Sequence, residues 1–224
     1  TILLTINGLW DVGCAIMGKG IYEFYEVWRM IMNYSEFIDA HHVSIYSPIY
    51  HFTRTFLNPD KPDEAKMYIL GGREKEEFDD FDIQILTLIA PNVRRPLTEI
   101  AEKLHKSLPF VINRLKLLEK KGVIQGYRPI LNWNSLGYDY YKVDISLSHR
   151  AFDKDIFTFC KSNPFIFQVD KTIGGSDLEI EIYTENLQHF KQIMQEMQDE
   201  FPTVFKNYSY FTLDKIYKET FFPI

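Results

Sequence analysis

The chain has 224 residues, 46% of them apolar and 16% aromatic, which excludes a disordered protein and leaves room for one large domain or a few small ones. No run approaches the roughly 20 apolar residues of a membrane-spanning helix, and the opening residues TILLTINGLWDVG lack the pattern of a signal peptide. Cys14 and Cys160 stand alone, without the spacing of metal ligands. We therefore expect a cytoplasmic protein with no metal, no cofactor and no membrane association.

Charge is distributed unevenly along the chain. The formal net charge is −6, but residues 91–129 contain nine Lys or Arg and three Glu, so this segment carries +6 and the remainder carries −12. A basic footprint on an acidic body favours one anionic partner at one place over nonspecific coating of nucleic acid.

Residues 1–57 alternate strand-like runs with one helix. ILLTI and WDVGCAIM are rich in strand formers, with Asn7-Gly8 as the turn between them, and HHVSIYSPIYHF predicts a further strand. GIYEFYEVWRMIMNY places its apolar residues on one helical face. Residues 58–77 contain two prolines, a Gly pair and many charges around a short MYIL run, which predicts a linker.

Residues 78–132 predict three helices followed by a small β-hairpin. The first helix is DDFDIQILTLIAP, the second LTEIAEKLHKS, and the third runs from about Pro109 to Lys121, with Ser107 as its cap and Gly122 as its stop. VIQGYRPIL places Gly126 between β-formers, which indicates the hairpin. Two short helices, a tight turn and a following hairpin form a winged helix-turn-helix.

Residues 137–224 predict the order β-α-β-β-α-β, which is ferredoxin-like, so the fold class is α+β. A shift of 166 residues aligns this domain with the start of the chain: Gly8, Asp11, Phe24 and Val27 fall on Gly174, Asp177, Phe190 and Ile193. We interpret residues 1–57 as a partial ββαβ copy that lacks its first strand and helix, and we expect upstream sequence that completes it. Chance similarity of two βαβ patterns is the alternative.

The basic segment predicts contacts with double-stranded DNA. In a winged helix-turn-helix the second helix of the pair enters the major groove, so the third helix here is the recognition helix. Its outer face presents Ser107, Phe110, Asn113, Arg114 and Lys116, of which Arg114, Asn113 and Lys116 are the expected groove contacts. The remaining predicted DNA contacts serve phosphates, and they are Arg94, Arg95, Lys120, Lys121 and Arg128. The alternative is that these cations only solvate ordinary helix surfaces.

The same residues resemble the Lrp/AsnC (feast/famine) transcription regulators. The resemblance rests on DDFDIQIL, LTEIAEKL and INRLKLLEKKGVIQGYRPILN, followed by a β-α-β-β-α-β domain of the RAM/AsnC type. It covers residues 78–224 and, for the sheet domain, also 1–57. It implies a sequence-specific transcription regulator that forms dimers or higher oligomers through the sheet domain. The apolar LPF at the start of the recognition helix and the tandem sheet domain depart from the family pattern.

The resemblance also implies a small-molecule effector, often an amino acid, bound between sheet domains. The family's glycine-containing turn falls on TIGGSD, so the predicted effector contacts are Gly174, Gly175, Ser176 and Asp177. Physically, such a turn needs a positive φ at glycine and offers free amides and a carboxylate to a zwitterion. A bare hairpin turn is the alternative.

Two other classes of protein remain open, and a metal site is disfavoured. Siroheme decarboxylases share this arrangement but carry His-rich and Arg-rich elements around the second strand, whereas FIFQVDKTIGG has neither residue, so we predict no enzyme. An assembly module whose winged helix binds protein is the other class. His41 and His42 are adjacent and would point to opposite faces of a strand, which disfavours a shared metal.

Overall fold

The computed structural model describes residues 1–18, 20–57, 60, 66–71, 76–148, 154–220 and 222. Much of the predicted linker, at 58–59, 61–65 and 72–75, lies outside these residues. No helix in the described part of the chain is long and apolar enough to cross a membrane.

Within these described residues, eight strands form one sheet, and six α-helices accompany it. The strands are β1 (Ile2–Asn7), β2 (Val12–Ala15), β3 (Ile45–Phe52), β4 (Met67–Leu70), β5 (Asp139–Leu147), β6 (Ile166–Ile173), β7 (Leu178–Thr184) and β8 (Phe205–Glu219). The helices are α1 (Ile21–Met32), α2 (Asp80–Ile89), α3 (Leu97–Lys103), α4 (Leu108–Lys120), α5 (Lys154–Ser162) and α6 (Leu187–Glu200). The sheet order is β2-β1-β8-β5-β7-β6-β3-β4.

The carboxyl-terminal part of the chain follows the predicted β-α-β-β-α-β order, and its four strands lie together as β8-β5-β7-β6. Alternate residues of β5, such as Val143 and Ile145, face the helices α5 and α6 and are fully buried. Phe190 and Met194 of α6 are fully buried in the same core. The side chain of Asn186 accepts the His189 N–H and caps α6.

Residues 1–57 add strands to both sides of these four strands. β1 pairs antiparallel with β8 at one side of the sheet, and β3 pairs antiparallel with β6 at the other. The 15-residue β8 makes this arrangement possible, because its first half pairs with β5 and its second half pairs with β1. The MYIL run of the predicted linker is β4, which pairs with β3.

The three helices α2, α3 and α4 enclose a second core, as predicted. Ile85, Ile100, Val111 and Leu118 are its most buried members. The bounds of α4 lie within one residue of the prediction, because local signals set them: Ser107 accepts the Phe110 N–H at 3.4 Å, and Gly122 follows the helix with φ +72°.

The prediction of a β-hairpin directly after α4 was wrong. Residues 123–131 are described throughout and contain no strand. Instead the Gln125 side chain takes both main-chain groups of Ile69 in β4: its Oε1 accepts the N–H at 2.8 Å and its Nε2 donates to the carbonyl at 2.6 Å. The segment after α4 is thus joined to β4 by a side chain and not by a strand of its own.

The face of the sheet opposite α5 and α6 contains a buried charge cluster around Lys142. Its Nζ lies 2.8 Å from Asp170, 3.0 Å from Glu179 and 3.4 Å from Glu181. Gln168 donates to Asp170 and Glu181, and the Tyr46 hydroxyl donates to Glu179 at 2.8 Å. Burial lowers the pKa of Lys142, but the three carboxylates raise it by more, so the ammonium stays charged.

His51 of β3 is buried next to this cluster. Its Nδ1 accepts a hydrogen bond from an Arg128 guanidinium nitrogen at 3.2 Å. Burial, followed by the charges of Arg128, Arg54 and Lys142, lowers the pKa of His51 to about 3. The folded chain therefore holds this imidazole neutral near pH 7.

Replacing His51 by Gln should reduce the loss of unfolding free energy that accompanies acidification. The pKa of His51 is about 3 in the folded chain, against 6.5 for an unperturbed histidine, so the unfolded state binds more protons between those values and stability falls as pH drops below 6.5. For His51 this loss is about 2 kcal/mol at pH 5. Urea unfolding of both proteins at pH 7.5 and pH 5 measures it.

Asp144, Glu181 and Glu219 also have raised pKa values, chiefly through burial. They are present in both proteins, so the difference between the two pH profiles isolates His51. Equal losses of unfolding free energy on acidification in wild type and His51→Gln would contradict the assignment.

Candidate nucleic-acid interface

The exposed face of α4 is a polar stripe. Asn113, Lys116 and Lys120 follow one another at the i, i+3, i+7 spacing of a single helical face, and all three are exposed. Leu117 lies within the stripe and is 39% exposed. Val111 and Leu118 on the opposite side are fully buried, so packing fixes which face of α4 meets solvent.

Arg114, a predicted groove contact, does not belong to this stripe. Its guanidinium pairs with the Asp79 carboxylate and with Asp82, Nε lying 3.0 Å from Asp82 Oδ1. Asp79 and Asp82 form the capping box of α2, in which each carboxylate accepts the other residue's main-chain N–H. Hydrogen bonding to Arg114 lowers the pKa of Asp79. Arg114 therefore joins α4 to the start of α2.

Arg114→Ala should lower the unfolding free energy by about 1–3 kcal/mol, because it leaves the buried Asp82 carboxylate without its cation. It should weaken binding to a preferred DNA site and to random DNA by similar factors, since it acts on the position of the whole helix. Urea unfolding and binding titrations measure both effects. Arg94→Ala is the control for stability, because that side chain is exposed; unchanged stability of Arg114→Ala would contradict the assignment.

Three further predicted DNA contacts have intramolecular partners. Phe110 packs edge-on against Phe81, with the ring centroids 5.6 Å apart. Arg95 pairs with Glu99 at 3.7 Å, and Lys121 donates to the Glu77 carbonyl at 2.6 Å. Each of these three side chains therefore contacts another residue of the same chain.

Arg128 is the clearest departure from the predicted set. It is half-buried beside His51, and burial lowers its pKa, with the charge of Arg54 adding to the effect. Residues 123–131 contain no strand, and Arg128 contacts His51 of β3.

Arg94 and Ser107 complete the predicted set. The Arg94 side chain is exposed, and it lines one concave surface together with Arg95 and Lys116, between the α2–α3 turn and α4. Ser107 is exposed and caps α4. The structure thus leaves Arg94, Ser107, Asn113, Lys116 and Lys120 facing solvent.

Sequence reasoning missed the acidic partners of α4. Asp79 and Asp82 appeared only as part of the predicted first helix, although an Asp followed three residues later by another Asp is the spacing of a capping box. That signal predicts a helix start, but it does not reveal that an arginine 35 residues away along the chain joins it.

The predicted effector turn is tightly packed. Gly174 has φ +89°, as the sequence required, and a Cβ there would lie 2.9 Å from the Val43 carbonyl. Asp177 accepts the Leu147 N–H at 2.9 Å, and the Thr172 hydroxyl donates to the Ser176 carbonyl at 2.5 Å. The Asp177 carboxylate and the Ser176 carbonyl of this turn therefore already accept hydrogen bonds from within the chain.

Comparison with known proteins identifies the class of DNA-binding domain and the protein family. A family model described as winged helix-turn-helix DNA-binding matches residues 78–125. The leucine-responsive regulatory protein of Rhizobium meliloti is 32% identical over 124 residues, which are 54% of this chain and 79% of the relative. The chain belongs to the Lrp/AsnC family of transcription regulators.

Solved structures share the fold. AsnC of E. coli matches 64% of this chain and 94% of its own length, with a TM-score of 0.53 and 16% identity. A transcriptional regulator of Neisseria meningitidis, solved as a complex with L-Met, matches 65% of this chain and 96% of its own length, with a TM-score of 0.55 and 19% identity.

Proposed function

We propose that this chain is a sequence-specific regulator that binds double-stranded DNA through α4. The observation that carries the proposal is the exposed stripe Asn113, Lys116 and Lys120 on a helix whose opposite side is buried. An Asn can read adenine by paired hydrogen bonds, and the two Lys can neutralise phosphates beside the groove. The positive charge of residues 91–129 on an otherwise acidic chain draws DNA to this face.

A salt series tests DNA binding. Affinity for a duplex, measured by fluorescence anisotropy, should fall by about 0.9 log unit per log unit of salt for each neutralised phosphate. Lys116→Ala and Lys120→Ala should each reduce that slope by about one contact. Lys191→Ala, an exposed lysine on α6, is the matched control and should leave the slope unchanged. A flat salt dependence, or no binding to any duplex, would favour the assembly module over the DNA-binding regulator.

Two finer features belong to the same proposal. The sheet domain forms homo-oligomers in the cytoplasm, and an amino acid contacts the turn Gly174–Asp177 and modulates binding. The solved relative with L-Met supports the ligand class, and the positive φ of Gly174 supports the turn geometry. Calorimetric titration with a pool of amino acids, repeated on Ser176→Val, tests the contact; undiminished binding to Ser176→Val would place the effector elsewhere.

Residues 1–57 are proposed to be a partial second copy of the sheet domain. The shift of 166 residues that aligned the two sequences carries β1 onto β6, β2 into β7, α1 onto α6 and β3 into β8. The pairings support the same interpretation, because the second strand of each copy pairs with the last strand of the other: β1 with β8, and β6 with β3.

A further inference from the structure

The apolar residues of α4 differ in their surroundings. Val111 and Leu118 are fully buried in the core that α2, α3 and α4 enclose, and Phe110 packs against that core. Pro109 and Leu117 instead meet solvent: Pro109 is exposed and Leu117 is 39% exposed. A single exposed leucine is ordinary in a folded protein, so the place of these two residues on the helix decides what they can do.

Pro109 and Leu117 flank Asn113 on the exposed face of α4. Pro109 comes four residues before Asn113 and Leu117 four residues after it. Each therefore lies about 6 Å from Asn113 along the helix axis and about 40° to one side of it. In a duplex groove that the helix follows, about 6 Å spans nearly two base-pair steps of about 3.4 Å. α4 thus presents one amide side chain between two apolar groups, each within reach of a different base pair.

The chemistry of these two side chains selects one kind of base. Pro109 is in the first turn of α4 and has no main-chain N–H, so it donates no hydrogen bond to a phosphate or a base. Its ring and the side chain of Leu117 offer only apolar surface. In the major groove, thymine is the base that presents an apolar group, its C5-methyl. Contact between this methyl and an apolar side chain removes both from water and is therefore favourable.

We propose that Pro109 and Leu117 are specificity-determining residues that contact thymine methyl groups on either side of the base read by Asn113. The proposal rests on the proposed function, binding of double-stranded DNA through α4, and names two further base contacts of that helix. Recognition helices contact base edges with their N-terminal residues, which supports the role of Pro109. Lys116 and Lys120, on the same face, remain available for phosphates.

Replacement of thymine by deoxyuridine tests the proposal, because uracil lacks only the methyl group and pairs with adenine in the same way. The preferred duplex is synthesised with one thymine replaced at a time, and each Kd is measured by fluorescence anisotropy at one salt concentration. Loss of a contacted methyl should weaken wild-type binding about 4-fold, the value for one buried methyl group. Leu117→Ala should lose this response at one thymine, and Pro109→Ala should lose it at another.

Leu108→Ala is the matched control. Leu108 is also an exposed leucine of α4, at 36%, but it lies about 140° around the helix from Asn113. This variant should retain both deoxyuridine responses. Lys120→Ala should retain them as well, while it binds every duplex more weakly. Deoxyuridine responses in Pro109→Ala and Leu117→Ala equal to those of wild type would overturn the proposal, and so would a wild-type protein that responds at no thymine.

Failure of this proposal is distinguishable from failure of the proposed function. A wild-type protein that prefers one site through Asn113 but ignores the methyl groups would overturn the thymine contacts alone. A protein that binds no duplex would overturn both.

Discussion

Lys142→Met should lower the unfolding free energy by about 3–5 kcal/mol, the usual cost of removing one partner from a buried ion cluster. Lys142 is the cation shared by Asp170, Glu179 and Glu181, which are all largely buried. Without it, three carboxylates would face one another on the face of the sheet opposite α5 and α6. Gln168 and Tyr46 donate hydrogen bonds to them but carry no positive charge.

The pH dependence of this variant identifies the cause. Burial already raises the pKa of Glu181, and Lys142 opposes that rise. Removing Lys142 raises the pKa of Glu181 in the folded state further above its unfolded value, so the stability deficit grows as pH rises and shrinks as this carboxyl protonates. Urea unfolding at pH 7.5 and pH 5 measures this change. Lys206→Met, at an exposed position of β8, is the control; a pH-independent deficit would point to lost packing.

Asn113→Ala should reduce affinity for a preferred DNA site by about 1–3 kcal/mol while leaving random DNA almost unaffected. Asn113 is the one stripe residue whose side chain can both donate to and accept from an adenine. Lys120→Ala should weaken binding to both DNAs by similar factors, because a phosphate contact carries no sequence information.

Recovery of genomic fragments bound by the purified protein supplies the preferred site, and competition titrations against random duplex measure the ratio of affinities. An Asn113→Ala variant that loses affinity equally on both DNAs would show that this residue does not read a base. Asn207→Ala, at an exposed position of β8, is the matched control.

The helices were predictable because their signals are local. The apolar spacing of α4, its cap Ser107 and its stop Gly122 lie within one stretch of sequence, and its observed bounds differ by one residue from those predicted. The strands of residues 1–57 were also recognisable from composition. Their partners were not, because pairing of β1 with β8 joins residues more than 200 positions apart and no local pattern specifies it.

The candidate site was predictable only in part for the same reason. Exposure of Asn113 and Lys116 follows from helix periodicity, which the sequence contains. The partners of Arg114 and Arg128 lie on other elements: Asp79 and Asp82 at the start of α2, and His51 in β3. Whether an arginine faces solvent or a carboxylate depends on that packing, and composition alone cannot decide it.

The two hydrogen bonds between Gln125 and Ile69 connect the segment after α4 to β4. Two hydrogen bonds, at 2.8 and 2.6 Å, tie one side chain to one main-chain unit of β4. A displacement of β4 must either pull this segment along or break both bonds together. Gln125 thus fixes the segment that follows α4, the helix that carries the exposed stripe, to the edge strand of the sheet.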